Sequence, residues 1–442
     1  MKGFSFPEGF LWGAATAGHQ IEGNNTASDW WAWEPGKIQD GSTSGLACDS
    51  WNRWEEDFDL MRSMGLNAYR MGIEWSRVEP RPGEWDDAAF DRYEQMMKGL
   101  ESRGIAVCLT LYHWVLPKWV ADMGGWENPA TVDRFAAFCG QVVARLGQYP
   151  ALWCTLNEPM VYVLFSYITG HFPPEKRSLR AARIVLRHLL LGHVEAFNII
   201  RSESPPGQDA MIGVAHNMAY FKPARRNLLD LLVAGFQRRA LNATIIEALA
   251  TGVAPGPVGN GVAVPGLARA FTYMGVNYYF SRTVAFRLNG LANGFSAEVI
   301  PADAVRTDFG WPICPEGFFH VLSDVKSLGV PVYILENGIS DRADALRPKY
   351  IVDHLREVRR AIDSGVDVRG YFHWTLADNF EWRAGYSQKF GLYAIDRADP
   401  ALARIPRQSA EIYGKIARAN GVTDEIASYV QGYAGCNDED ET

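Results

Sequence analysis

The sequence has little that would tie the chain to a membrane, a metal ion or a nucleic acid. No stretch of its 442 residues reaches the roughly 18 consecutive apolar residues that a membrane span needs. The N-terminus, MKGFSFPEGFLWGAATAG, lacks the charged start and continuous apolar core of a secretory signal. Six cysteines, at 48, 108, 139, 154, 314 and 436, are scattered without a CxxC pair. Such usage predicts reduced thiols in a cytoplasmic protein, with Cys108 and Cys154 buried in apolar runs. The N-x-T sequons at Asn24 and Asn242 carry no weight without a secretory signal. There is no HExxH, no strand-following GxGxxG and no GxxxxGK[ST], so neither a metal nor a nucleotide cofactor is expected. Lysine and arginine number 43 against 51 acidic residues, a net charge of −8 without a compensating basic run. That balance suits neither a phosphate backbone nor an anionic membrane as partner. Repeats of 20–50 residues and Pro/Ser-rich linkers are missing too, and nothing bears on oligomeric state. One domain, 1–434, is expected, followed by an acidic, disordered tail, 435–442.

What is present is alternation. Eight short apolar runs lie at 10–17, 66–73, 105–112, 152–157, 211–217, 273–279, 330–337 and 368–376. Between them, 51–64, 88–103, 131–147 and 355–365 carry apolar residues at helical spacing. Strands apolar on both faces, each followed by a helix, imply a parallel sheet. Eight such units predict an α/β fold, a single closed (β/α)8 TIM barrel. A doubly wound open sheet is the competitor, and it would usually show a Gly-rich turn after its first strand. The longest loops are expected at 18–50, 114–130 and 280–315.

In such barrels the chemistry gathers where the strands end. The first run leads to Gln20 and Glu22, the second carries Arg70 and reaches Glu74, and the third ends in His113-Trp114. The fourth ends in Asn157-Glu158-Pro159, the sixth in Asn277-Tyr278-Tyr279, and the seventh in Glu336-Asn337. The eighth ends in Trp374, followed by Asn379, Glu381 and Trp382. Glu158 and Glu336 would face each other across the mouth. A carboxylate pair of this kind cleaves glycosidic bonds when one member is protonated and the other ionised. Arg70 and Tyr279 could favour the charged form of Glu336. Gln20, His113, Asn157 and Glu381 suit sugar hydroxyls, and Trp374 and Trp382 suit the C–H face of a pyranose. Taken singly, each has a plainer reading: a solvated strand-end acid, a core histidine, a core tryptophan.

TLNEP (155–159) and YILENG (333–338) resemble the two active-site signatures of glycoside hydrolase family 1. FLWGAATAGHQIEG (10–23), YRMGIEWSRVEP (69–80), LYHWVLP (111–117), GVNYY (275–279), GWPICPEGF (310–318) and WTLADNFEWRAGYSQKFGLY (374–393) agree, in order, over residues 4 to about 415. The resemblance implies a retaining β-glycosidase, first of all a β-glucosidase, with β-galactosidase or β-fucosidase activity and transglycosylation as accompaniments. Its partner would be a small β-glycoside or short oligosaccharide. The resemblance makes Glu158 the acid/base and Glu336 the nucleophile, with Arg70, Asn277 and Tyr279 supporting Glu336. Asn157 would bind the sugar 2-hydroxyl. Gln20, His113, Trp114, Glu381, Trp382 and Phe390 would line the remaining glycone contacts, with Trp374 as the platform. Glu381 and Phe390 speak for a neutral sugar rather than a 6-phosphoglycoside. Two departures stand out: His19 where the family commonly has an aromatic residue such as tyrosine, and TGVAPGPVGNGVAVPG (251–266) before GVNYY. A non-catalytic sugar binder of this family would lose one of the two carboxylates, and both are here.

Overall fold

The structure is a computed structural model and describes residues 2–203, 210–288 and 296–431. Eight strands form the ring: β1 (Leu11–Ala15), β2 (Ala68–Gly72), β3 (Ala106–Tyr112), β4 (Pro150–Asn157), β5 (Ile212–Pro223), β6 (Met274–Phe286), β7 (Val332–Asn337) and β8 (Val368–Trp374). Each pairs in parallel with its chain neighbours, and β8 pairs with β1 to close the barrel. The strands are buried on both faces, which is why they read as continuous apolar runs.

Helices return the chain after each strand: α1 (Ser50–Met64), α2 (Asp87–Glu101), α3 (Ala130–Leu146), α4 (Leu179–Glu203), α5 (Thr244–Thr251), α6 (Pro315–Val325), α7 (Arg347–Asp363) and α8 (Gln408–Ala419). Local chemistry sets their ends. Asp86 accepts from Ala89 N and caps α2, and Gly65, at φ +80°, stops α1 in the left-handed conformation that glycine adopts freely. Phe4–Ser5 pairs with Gly421–Val422, and Trp12 Nε1 donates to Asn420 Oδ1 at 2.9 Å, so the segment that precedes β1 meets the one that follows α8.

Several expectations need correcting. β5 and β6 run on to Pro223 and Phe286 and stay paired as far as Pro223–Val284, so the loop expected from 280 begins as strand. A further helix, Leu228–Arg238, sits on this extension through a small second core of Ala219, Phe221, Val233, Ala234 and Val284. The loops expected at 18–50 and 114–130 hold the short helices Gly18–Ile21, Asp29–Trp33 and Lys118–Asp122. α7 begins at Arg347 rather than 355 because its first turns bury charge in pairs: Arg347 with Asp344, and Lys349 with Asp353 at 2.9 Å. An apolar periodicity cannot register buried ion pairs. Cys48, Cys108, Cys139, Cys154 and Cys314 are buried free thiols, while Cys436 and the expected tail 435–442 lie outside the described residues. Asn242 is buried, with its amide bonded to both N and O of Ala219, so that sequon is closed to modification. Among the described residues no helix is long and apolar enough to cross a membrane.

Candidate active site

At the end of β4 the chain turns sharply. Glu158 sits at φ 45°, ψ 58°, and Pro159 opens the helix Pro159–Val163 behind it. Proline at the first helical position forfeits no hydrogen bond, and it bars the preceding residue from the right-handed α region. Glu158 N donates to Ala215 O at 2.8 Å, tying the turn to β5. A non-glycine residue held left-handed costs of order 1–3 kcal/mol. Here the result is a carboxyl that lines the cavity at the barrel mouth.

Across the mouth, Glu336 is the next-to-last residue of β7. Arg70, fully buried inside the barrel, donates through Nη1 to Glu336 Oε1 at 2.5 Å and through Nη2 to Asn157 Oδ1 at 2.6 Å. Tyr279 donates to the other Glu336 oxygen at 2.6 Å. Among the described residues Glu158 forms no ion pair, and the Arg70 charge acts on it only weakly. Asn277 Nδ2 donates to it at 2.7 Å and Asn217 Nδ2 at 3.1 Å. Burial, then the charge of Glu336, pushes the Glu158 carboxyl up to about 8. Burial also raises the Glu336 carboxyl above its ordinary value, but there Arg70 and Tyr279 push back towards the charged form. Asn277 therefore does more than expected. It contributes to holding Glu336 ionised, yet its short bonds go to Glu158 and, at 3.3 Å, to Asn157.

The remaining expected residues gather beside this pair. Asn157 Nδ2 donates to His113 Nε2 at 2.8 Å, and burial holds the imidazole well below its ordinary pKa, so it is neutral and its Nδ1 carries a proton. Gln20 Nε2 donates to Asn379 Oδ1, Phe380 O and Glu381 Oε2. Among the described residues Gln20 Oε1, His113 Nδ1 and Asn277 Oδ1 are buried polar atoms with no partner, and His113 lines the cavity, where a ligand hydroxyl would supply one. Burial and the Glu336 charge push the Glu381 carboxyl up to about 8, opposed by Gln20 and Trp374. Trp374, Trp382 and Phe390 line the cavity. Trp114 lines it too, but its indole N–H is taken by Asn157 O at 3.1 Å. His19 lies one layer behind, stacked on Trp382 and donating to Glu34 Oε1 at 2.7 Å.

Comparison with known proteins settles the family. The Glycosyl hydrolase family 1 profile matches residues 3–422. The chain belongs to glycosyl hydrolase family 1. Beta-glucosidase A of Thermotoga maritima is 32% identical over 95% of this chain and 99% of its own. A beta-galactosidase of Pyrococcus woesei is 31% identical over 95% and 98%. Among solved structures, a beta-glycosidase from Pyrococcus horikoshii superposes with a TM-score of 0.89 at 34% identity, covering 99% of both chains. A Thermotoga maritima family 1 b-glucosidase in complex with isofagomine lactam gives 0.88 at 31% identity, covering 95% and 100%. The chain is thus a glycoside hydrolase, a retaining β-glycosidase on a (β/α)8 barrel.

The cavity of this glycosidase measures about 390 Å³. Its second half was not legible in the sequence. Asn217, at the end of the fifth predicted run, reaches Glu158, and that strand end had been given no role. Further out the lining is mostly apolar: Val161, Leu164, Phe165, Leu241, Phe280 and Trp311. Asn242 also borders it, but its amide is spent on the Ala219 backbone.

Arg70 joins Glu336 to Asn157 beneath the site, and a variant should expose that. Arg70→Met leaves Glu336 and Asn157 buried without their cation, a loss expected to cost about 3–5 kcal/mol of stability. The sign on activity follows from the same contact. Arg70 favours ionised Glu336, so without it the acidic limb of the kcat/KM profile moves to higher pH. Urea unfolding and a pH series check both, and an unshifted acidic limb would separate Arg70 from Glu336 chemistry.

Proposed function

We propose that this family 1 enzyme is a β-glucosidase acting on small neutral β-glycosides and short oligosaccharides, with β-galactosides and β-fucosides as accompanying substrates. In this reading Glu336 is the nucleophile and Glu158 the acid/base. The observation that carries it is the asymmetry of the pair: Glu336 is bonded to a guanidinium and a phenol, Glu158 to two neutral amides. Arg70 and Tyr279 therefore favour charge on Glu336, while burial and the charge of Glu336 outweigh the two amides and favour a proton on Glu158. Glu336 attacks the anomeric carbon while Glu158 gives its proton to the departing glycosidic oxygen, forming a glycosyl ester on Glu336. Glu158, now ionised, takes a proton from water as that water attacks the anomeric carbon, and Glu336 leaves as carboxylate. Asn157 would hold the 2-hydroxyl, and Gln20, His113, Glu381 and Trp382 the other hydroxyls over Trp374. A carboxylate at 381 disfavours a sugar phosphate there. An ester intermediate exposed to a second sugar also transglycosylates.

No metal or cofactor has a part in these steps. One closed ring and its main core support reading 1–434 as a single catalytic unit, and the buried free thiols support a cytoplasmic setting. The test is a panel of p-nitrophenyl β-glycosides ranked by kcat/KM, then cello-oligosaccharides. The glucoside should lead, and inertness towards every β-glycoside would end the proposal. In the same panel Glu381→Ser should cost the glucoside roughly 1–3 kcal/mol, two hydrogen bonds at about 0.5–1.5 kcal/mol each from a carboxyl that burial keeps protonated. An unchanged kcat/KM would remove Glu381 from the glycone site.

A further inference from the structure

Exposed apolar side chains are concentrated in one place. Among the described residues thirteen large ones are exposed, and five of them, Leu228, Leu229, Leu231, Leu232 and Phe236, lie on the single helix Leu228–Arg238. Leu228 is 71% exposed and Leu232 60%. The helix is well formed, with Asn227 capping it by accepting from Asp230 N at 2.9 Å. Its inner face, Asp230, Val233 and Ala234, is buried on the small second core. A surface helix turns polar residues outward, but this one is apolar on the outside as well. The hairpin beneath it adds Leu288, 83% exposed, and meets the helix through Phe286 N to Asp230 Oδ1 and Gln237 Nε2 to Ser296 Oγ. A contiguous exposed apolar face of this kind marks an interaction surface.

Charge selects the occupant. Arginines bracket the apolar strip: Arg225 and Arg226 before the helix, Arg238 and Arg239 at its end, and Arg287 on the hairpin. Arg225, Arg238 and Arg239 pair with Asp230, Asp324 and Glu247. Arg226 and Arg287 are exposed, with no acid partner among the described residues. A second copy of this chain would pair the strip with itself: parallel helices would set Arg226 against Arg226, and antiparallel ones would set it against Arg238 and Arg239, whose acids are already taken, so neither arrangement offers Arg226 an acid. A phospholipid surface offers acyl chains for the leucines and phosphates for the arginines.

The strip also adjoins the catalytic mouth. It leaves the barrel with β5, at the end where the cavity opens. Ala219 and Phe280 belong to or pack on the small core under the helix and also line the cavity, as does Leu241 just past the helix. We propose that the Leu228–Arg238 helix docks flat on a phospholipid bilayer, so that the glycosidase works with its mouth at the lipid surface. The lack of a spanning segment and the net charge of −8 do not count against this, because a helix lying in the headgroup plane needs only its own apolar face and local cations.

Flotation of the full chain with vesicles of phosphatidylcholine and phosphatidylglycerol at about 7:3 tests it, and requires no turnover. The wild type should float with the vesicles. The variant Leu228→Gln/Leu231→Gln/Leu232→Gln should float at least about tenfold less, while hydrolysing a soluble aryl glycoside at the wild-type rate. Arg226→Glu/Arg287→Glu, which leaves the apolar face intact, should weaken flotation as well and serves if the glutamine variant fails to fold. A wild type that stays in solution, or variants that float equally well, overturns the proposal. So does light scattering that finds a wild-type dimer which the glutamine variant abolishes, because the face would then belong to a second copy.

Discussion

Glu336→Ala is expected to reduce kcat on aryl glucosides by on the order of 10⁵-fold or more, the scale seen when a covalent nucleophile is removed from an enzyme that works through it. The loss should hold across leaving groups, because an activated phenol helps departure but cannot replace the attacking carboxylate. In the wild type, a 2-deoxy-2-fluoro glucoside with a good leaving group should accumulate as an ester on Glu336. The fluorine destabilises the cationic transition states of both steps, and the leaving group rescues only the first. Peptide mapping reads the site of attachment, and a label on any other residue would refute the assignment. The substitution leaves the buried Arg70 guanidinium with Asn157 and Thr110 as its side-chain oxygen partners among the described residues, so it too should cost about 3–5 kcal/mol of stability, and a urea unfolding curve separates that loss from the loss of kcat.

Glu158→Ala should separate substrates that Glu336→Ala treats alike. General acid catalysis is worth typically about 10²–10⁴-fold, and that loss should fall on alkyl glucosides and cellobiose. Dinitrophenyl glucosides, which depart without protonation, should form the ester at near wild-type rates and then stall for want of a base. Azide, which needs no base, should restore turnover and yield the β-glycosyl azide. An α-azide would place the attack on the wrong face. The pH profile gives a second reading. The Glu158 carboxyl is pushed up to about 8, so it keeps its proton through neutrality and loses it as pH rises beyond that value. kcat/KM on an unactivated glucoside should therefore fall on the alkaline side, and in Glu158→Gln this limb should vanish. Glu381 is pushed up to about 8 as well, so Glu381→Gln is the control, and it should keep the limb.

The barrel was legible because parallel strands buried on both faces leave uninterrupted apolar runs, and all eight runs mark real strands. Residues that sit where a strand stops were legible for the same reason. Glu158 and Glu336 each follow or close such a run, and Arg70 is conspicuous as a cation inside one. What stayed hidden has no period. Phe165 and Trp311 come from connecting segments, so nothing in their spacing marks them as cavity wall. Asn217 closes its apolar run as Asn157 closes the fourth, but no acid stands beside it, and its strand continues past it to Pro223. The start of α7 was hidden by cations that are buried because they are paired. The reach of Asn277 to both carboxyls is a matter of side-chain length across neighbouring strands, which a linear reading does not measure.

The seam between β8 and β1 has a consequence for how the enzyme comes into being. Leu11 to Ala15 find their partners only at Gly370 to Trp374, and Gln20 waits for Asn379 and Glu381. A chain emerging from the ribosome carries Glu158 long before it carries anything for that carboxyl to work with. Until the residues through Glu381 are made, the ring has two open edges and no glycone pocket. Activity would thus arrive in one step once β8 and Glu381 have been made, and no fragment that stops before β8 would hydrolyse sugars on its own account.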